Sequence, residues 1–243
     1  MKVETPLRTF VVAACIALSC SVLVASAVYV LRPLQKNDQV LERGRVILDA
    51  AGESLAGVTS DADLLSAYMG LDARVVKLGS PELLGSSDAH VYDHWQALDS
   101  EEPAAASEFR APVYLVRQEG MLKRIVFPVH GAGMWSTIYG YLALGPDLTT
   151  IVDLVFLRHG ETPGVGDRIE DPAWRREWQG KKLFDENGKP RLRVVRDARN
   201  EYEVDLISGA SVTCEAVGEL VVAAFDDDGY GPLVQRLRRE GAN

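Results

Sequence analysis

Three clusters of polar and small residues hold most of the chemistry open to this sequence. The first is Asp205-Leu206-Ile207-Ser208-Gly209-Ala210-Ser211-Val212-Thr213. It lies between a stretch with strand texture and one with helix texture. Ser211 or Thr213 could cap that helix, leaving backbone N–H groups directed outward, and such a terminus suits a phosphate. Gly209 and Ala210 are small, so a bulky group can approach the backbone closely. An ordinary helix cap accounts for the same residues, although neither hydroxyl has the Glu or Gln three positions on that a reciprocal capping box needs. The second cluster, His159-Gly160-Glu161-Thr162-Pro163-Gly164-Val165-Gly166, is a tight loop offering donors and acceptors, or simply a polar turn. The third, His130-Gly131-Ala132-Gly133-Met134-Trp135, precedes an aromatic strand. Met134 and Trp135 could flank a flat ring or belong to the core.

Other chemistries find little support. His90 and His94 are four residues apart, but no third ligand accompanies them, so no metal centre is expected. Cys15, Cys20 and Cys214 form no CxxC pair, which argues against zinc, an iron–sulfur cluster and a disulfide framework. No nucleophilic triad stands out, and neither a dinucleotide fingerprint nor a P-loop is present.

The elements that must position these clusters follow from hydropathy and charge. Phe10 to Leu31 carries no charge and is long enough to cross a bilayer as a helix. Ala25-Ser26-Ala27 offers a signal-peptide alternative, and Ala17-Leu18-Ser19-Cys20 faintly suggests a lipoprotein box. Lys2, Arg8, Arg32 and Lys36 against Glu4 make residues 1–36 positive by three, so of the net charge of -9, residues 37–243 carry -12. A domain that acidic is a poor partner for nucleic acid. Charge flanks both ends of the apolar run, so orientation is undecided.

Helices are expected at 37–51, 60–69, 92–98, 171–179, 215–225 and 232–240. Strands are expected at 75–78, 113–117, 122–129, 138–144, 151–157, 191–195 and 203–207. The expected class is α+β: one N-terminal transmembrane helix, then a mainly antiparallel sheet with flanking helices. The division is an anchor over 1–36 and a soluble domain over 37–243, with 53–112 a variable subregion.

Taken together and in this order, Gly133-Met-Trp-Ser-Thr-Ile-Tyr-Gly-Tyr-Leu-Ala-Leu144, the 159–166 loop and the 205–213 segment resemble the C-subunit family of the Na(+)-translocating NADH:quinone reductase. The anchor, the length and Ile47-Leu-Asp-Ala-Ala-Gly52 fit as well. The likeness spans nearly the whole chain and is weakest over 53–112. It implies an FMN-binding domain that carries a covalent FMN. A flavin transferase using FAD and Mg²⁺ would link FMN by a phosphoester to the last residue of a D-x-x-[ST]-G-A-[TS] motif. Here that motif is Asp205, Ser208, Gly209, Ala210 and the acceptor Ser211. The family more often has threonine at the acceptor position, and Thr213 is a rival. Glu161, Thr162 and Val165, the last in place of a more usual leucine, match positions near the flavin, as do Gly133 and Trp135.

The resemblance further implies an electron-transfer protein without catalytic side chains of its own. It would relay electrons between an iron–sulfur centre and the FMN of the reductase's B-subunit, during ubiquinone reduction coupled to Na⁺ export. Its partners would be the A-, B-, D-, E- and F-subunits of the same reductase, the flavin transferase and membrane lipid. The chain would sit in the cell inner membrane with its soluble domain on the periplasmic side. Two alternatives stay open. One is the G-subunit of the Rnf ion-translocating complex, towards which Gly-Val-Gly-Asp-Arg-Ile-Glu leans. The other is a membrane-tethered binding protein without redox work.

Overall fold

The structure is a computed structural model that describes residues 6–53, 58–85, 89, 90, 92, 94, 95 and 110–240. The chain divides into two compact units, Met1–Glu42 and Arg43–Asn243. Helix α1, Pro6–Ala51, belongs to both. Its segment Arg8–Val30, with mean hydropathy 2.5, is long and apolar enough to cross a membrane. Expected as two helices around Pro33, α1 is instead one. Proline at position 33 lacks the N–H for one i→i−4 bond, and the helix runs on through it.

In the second unit, α2 (Asp61–Met69) starts with a reciprocal capping box between Ser60 and Asp63. A six-stranded sheet follows: β1 (Asp72–Lys77), β2 (Leu83–Leu84), β3 (Arg110–Gln118), β4 (Met121–Ala132), β5 (Thr137–Leu144) and β6 (Ile151–Arg158). Its order is β2-β1-β3-β4-β5-β6, and every neighbouring pair is antiparallel. The 3₁₀ turn Gly166–Glu170 leads into α3 (Pro172–Trp178). A short pair, β7 (Arg193–Val195) and β8 (Glu203–Asp205), precedes α4 (Ser211–Ala224) and α5 (Gly231–Glu240). β7 and β8 pair in parallel as a separate two-stranded sheet, so the sheet structure is mainly antiparallel, as expected. Of the expected 92–98 helix, His94 and Trp95 are helical, while 93 and 96–98 lie outside the described residues, as do 54–57, 86–88, 91 and 99–109 of the 53–112 subregion.

Both faces of the sheet are covered, which explains the nearly continuous burial along β3 and β5. One face sends Val113, Ile125, Phe127, Val129, Ile138 and Leu142 into the main core with Val217, Leu220 and Val221 of α4 and Leu233 and Val234 of α5. Tyr230 at the entry to α5 donates its hydroxyl to Pro128 O at 3.0 Å. The other face carries Tyr114, Tyr139 and Tyr141. Against it lie Tyr68 of α2, whose hydroxyl meets that of Tyr114 at 3.2 Å, and Trp95, 5.1 Å from Tyr139. Strand β6 is an edge, and α3 packs along it with Trp174 and Trp178 buried.

Candidate functional site

Three segments far apart in sequence meet at the carboxylate of Glu161. The turn between β4 and β5 is closed by Gly133 N donating to Ser136 O at 2.8 Å. The loop leaving β6 is folded on itself by Thr162 O, which accepts from Val165 N, Gly166 N and Asp167 N. The third segment is the start of α4. Glu161 is 5% exposed. Its Oε1 accepts from Trp135 N at 3.1 Å, and its Oε2 accepts from Thr213 Oγ1 at 2.6 Å. Burial pushes the carboxyl's pKa up. Hydrogen bonds from Thr213 and from the backbone of Trp135, Ser136 and Met134 outweigh this and hold it below the ordinary value. Two glycines make room for the group. A Cβ on Gly133 would stand 2.5 Å from Glu161 Oε1, and one on Gly166 would stand 2.9 Å from Glu161 Cβ and 3.0 Å from Thr213 Oγ1.

The loop has further ties. Gly160 N donates to Ser136 Oγ at 2.6 Å, and Glu161 N to His159 Nδ1 at 3.3 Å. His159 Nε2 lies 3.1 Å from Glu170 Oε1, although not in hydrogen-bonding geometry. Arg168 Nη1 donates to Ser208 O at 3.3 Å. Ser136, Arg168 and Trp174 were not among the expected site residues. Their contacts run across 24 to 40 positions, beyond any local motif.

Helix α4 starts at Ser211, four residues before the expected Glu215. Its N-cap is Ala210, which has no side-chain oxygen to offer. Neither Ser211 nor Thr213 is therefore the cap. The first bond along the helix runs from Cys214 N to Ala210 O. The N–H groups of Ser211, Val212 and Thr213 thus begin the helix unanswered by a cap, at its positive end. The two candidate hydroxyls differ sharply. Thr213 is 2% exposed and bound to Glu161, whereas Ser211 is half-buried and its hydroxyl has no partner among the described residues. Gly209 has φ +89° and nothing within 4 Å of where a Cβ would be, so there is open space beside it.

The remaining expected residues sort by location. Trp135 (67% exposed), Met134 (52%), Val165 (44%) and Val212 (56%) form an exposed apolar rim on these three segments, so Met134 and Trp135 are not core. Thr162 and Ser208 are also exposed and Ala210 is buried. Asp205 is turned to other work: its Oδ1 accepts from Ala198 N at 2.7 Å, and its carbonyl accepts from Trp174 Nε1, also at 2.7 Å. His90 and His94 lie elsewhere, against Tyr68 and Trp95 respectively.

The three segments fall within residues 133–226, over which the matching family model is the FMN-binding domain. The chain is 33% identical over 254 residues to the C-subunit of the Na(+)-translocating NADH-quinone reductase of Pseudomonas aeruginosa, covering 97% of each. It is 34% identical to the C-subunit of the same reductase from Yersinia pestis, covering 97% of this chain and 94% of that one. Among solved structures, Shewanella oneidensis NqrC superposes with a TM-score of 0.73 at 29% identity, covering 85% of this chain and 99% of that one. The chain belongs to the C-subunit family of the Na(+)-translocating NADH-quinone reductase.

Proposed function

We propose that Ser211 Oγ is the point at which FMN is esterified through its phosphate, making the chain a covalent flavoprotein. The observation that carries this reading is the contrast between the half-exposed Ser211 hydroxyl at the first position of α4 and the buried Thr213 hydroxyl engaged by Glu161. The donor set fits the group: capless N–H groups suit a phosphate. Gly209 and Ala210 leave space for it, and Met134, Trp135, Val165 and Val212 suit a flat aromatic ring. Glu161, Thr162, Gly133 and Ser208 frame the site. The chemistry supplied there would be electron relay, from an iron–sulfur centre to the FMN of the B-subunit, within a reductase that passes electrons from NADH to ubiquinone and exports Na⁺. The protein's own part is to fix the attachment point, to hold Thr213 and the 133–136 turn through the buried carboxylate of Glu161, and to present exposed apolar side chains to the ring.

On this reading the partners are the A-, B-, D-, E- and F-subunits of the reductase and the maturing flavin transferase. The span Arg8–Val30 crosses the inner membrane once, with residues 37–243 as the periplasmic domain. The C-subunit relatives, matched along nearly their whole length, favour this reading over the G-subunit of the Rnf complex. The test is co-expression with a flavin transferase, followed by a denaturing gel under ultraviolet light and intact mass. A fluorescent band that persists in Thr213→Ala and vanishes in Ser211→Ala is expected. A band retained in Ser211→Ala rules out this acceptor, and no band in any chain leaves a tethered binding protein as the better description.

A further inference from the structure

Helix α3 lies along edge strand β6, and two adjacent residues on it reach in different directions. Trp174 is buried beside Phe156 and Trp178, and its Nε1 donates to Asp205 O, the first residue of the attachment segment. Arg175 holds two carboxylates with a single nitrogen. Its Nη2 lies 2.8 Å from Asp153 Oδ2 on β6 and 3.1 Å from Asp49 Oδ2 in the last turn of α1. Arg124 of β4 adds a bond from Nη1 to Ala50 O in the same turn. On its other side, α3 continues the loop of Glu161 through the turn whose Arg168 donates to Ser208 O. The segment 205–208 is thus gripped at both ends from α3 and the turn leading into it. α3 is seven residues long, too short to hold its own geometry, so its position is set by what it touches. Asp153 is 14% exposed and Arg175 22%, so that ion pair is partly desolvated and stronger than an open surface pair.

We propose that Arg175 is a positioning residue for the attachment segment: it locks α3 between the last turn of α1 and β6, and Trp174 passes that position to Asp205. The flavin readout below rests on the reading of Ser211 given above; the exchange readout does not. The experiment is hydrogen–deuterium exchange on the full chain in detergent micelles, with and without co-expressed flavin transferase. In Arg175→Met, amides of residues 206–211 should exchange about three- to ten-fold faster, as expected for local opening after loss of a part-buried ion pair. Asp49→Asn should move the same amides in the same direction. Lysine keeps the charge but ends one atom short of Nη2, so Arg175→Lys should restore protection in part. Arg236→Met, which removes the Arg236–Glu240 pair on α5 and the bond to Pro81 O, should leave 206–211 unchanged. In flavin-loaded chains, Arg175→Met should lower the steady-state anisotropy of flavin fluorescence, and Arg175→Lys should lower it less. Unchanged or uniformly faster exchange in Arg175→Met, or failure of Arg175→Lys to restore any of the protection, overturns the proposal. Exchange as expected, with no fluorescent band in any chain, upholds the α3 linkage and sinks the flavin reading alone.

Discussion

Replacing Glu161 by alanine should be among the most damaging single changes to this domain, and its cost can be worked from the contacts. The side chain accepts two charge-assisted hydrogen bonds, from Thr213 Oγ1 at 2.6 Å and Trp135 N at 3.1 Å. Such bonds contribute about 1.5–3 kcal/mol each, and the Thr213 hydroxyl, 2% exposed, would be left buried without its acceptor. The loss should be about 3–5 kcal/mol, which for a folded unit of this size lowers Tm by roughly 6–20 °C. Glu161→Gln keeps one acceptor, and the Thr213 hydroxyl can rotate to accept from the new amide, so it should cost only about 1–2 kcal/mol. Adding Thr213→Val to Glu161→Ala removes the stranded hydroxyl, so the pair should be less destabilised than the sum of the singles by at least about 1 kcal/mol. Thermal melts of the full chain in detergent, read by circular dichroism, test all four variants. The reasoning fails if Glu161→Ala lowers Tm by less than about 2 °C, or if the two substitutions add.

Gly166→Ala drives a methyl between Glu161 Cβ and Thr213 Oγ1 and should cost about 1–3 kcal/mol, read as a lower urea midpoint without a change in slope. The Glu161 carboxyl has a lowered folded pKa, so its contribution is complete above the unfolded value of about 4.5 and is lost as pH falls through the folded value; Glu161→Gln should flatten Tm against pH in that acid range. His94 is shifted the other way in charge terms. Burial, Arg43 and His130 hold its pKa well below 6.5, so the unfolded chain takes up a proton that the fold refuses. Stability should therefore decline as pH falls below about 6.5, and His94→Leu should remove part of that slope in melts between about pH 7 and 5.

Much of the fold was legible because its pattern is local. The runs 122–129, 138–144 and 151–157 are β-branched and aromatic stretches bounded by Gly, Pro and Asp, and they became β4, β5 and β6 with small changes at the ends. The start of α4 was misjudged because Ser211-Val212-Thr213-Cys214 contains weak helix formers and Ala210 is a poor cap. Packing of Cys214, Val217 and Val221 into the core overrides that local preference. The parallel direction of β7 and β8 was not legible, since a two-residue period marks a strand but not the sense of its pairing. At the site, the motifs could be recognised one by one, but the bond between Glu161 and Thr213 spans 52 positions and had no local signature. Their nearness separates the two hydroxyls that spacing alone left as rivals. Arg175 was invisible for the same reason: its partners lie 126 and 22 positions away.

The alanine at position 210 has a consequence for how the protein matures. A helix that begins without a cap forgoes about 1 kcal/mol that serine or aspartate would supply there. If a phosphate ester is formed at the next residue, that anion takes the place of the missing cap, and modification then finishes the folding of α4. The newly made chain and the modified chain would differ in how readily this end of the helix frays.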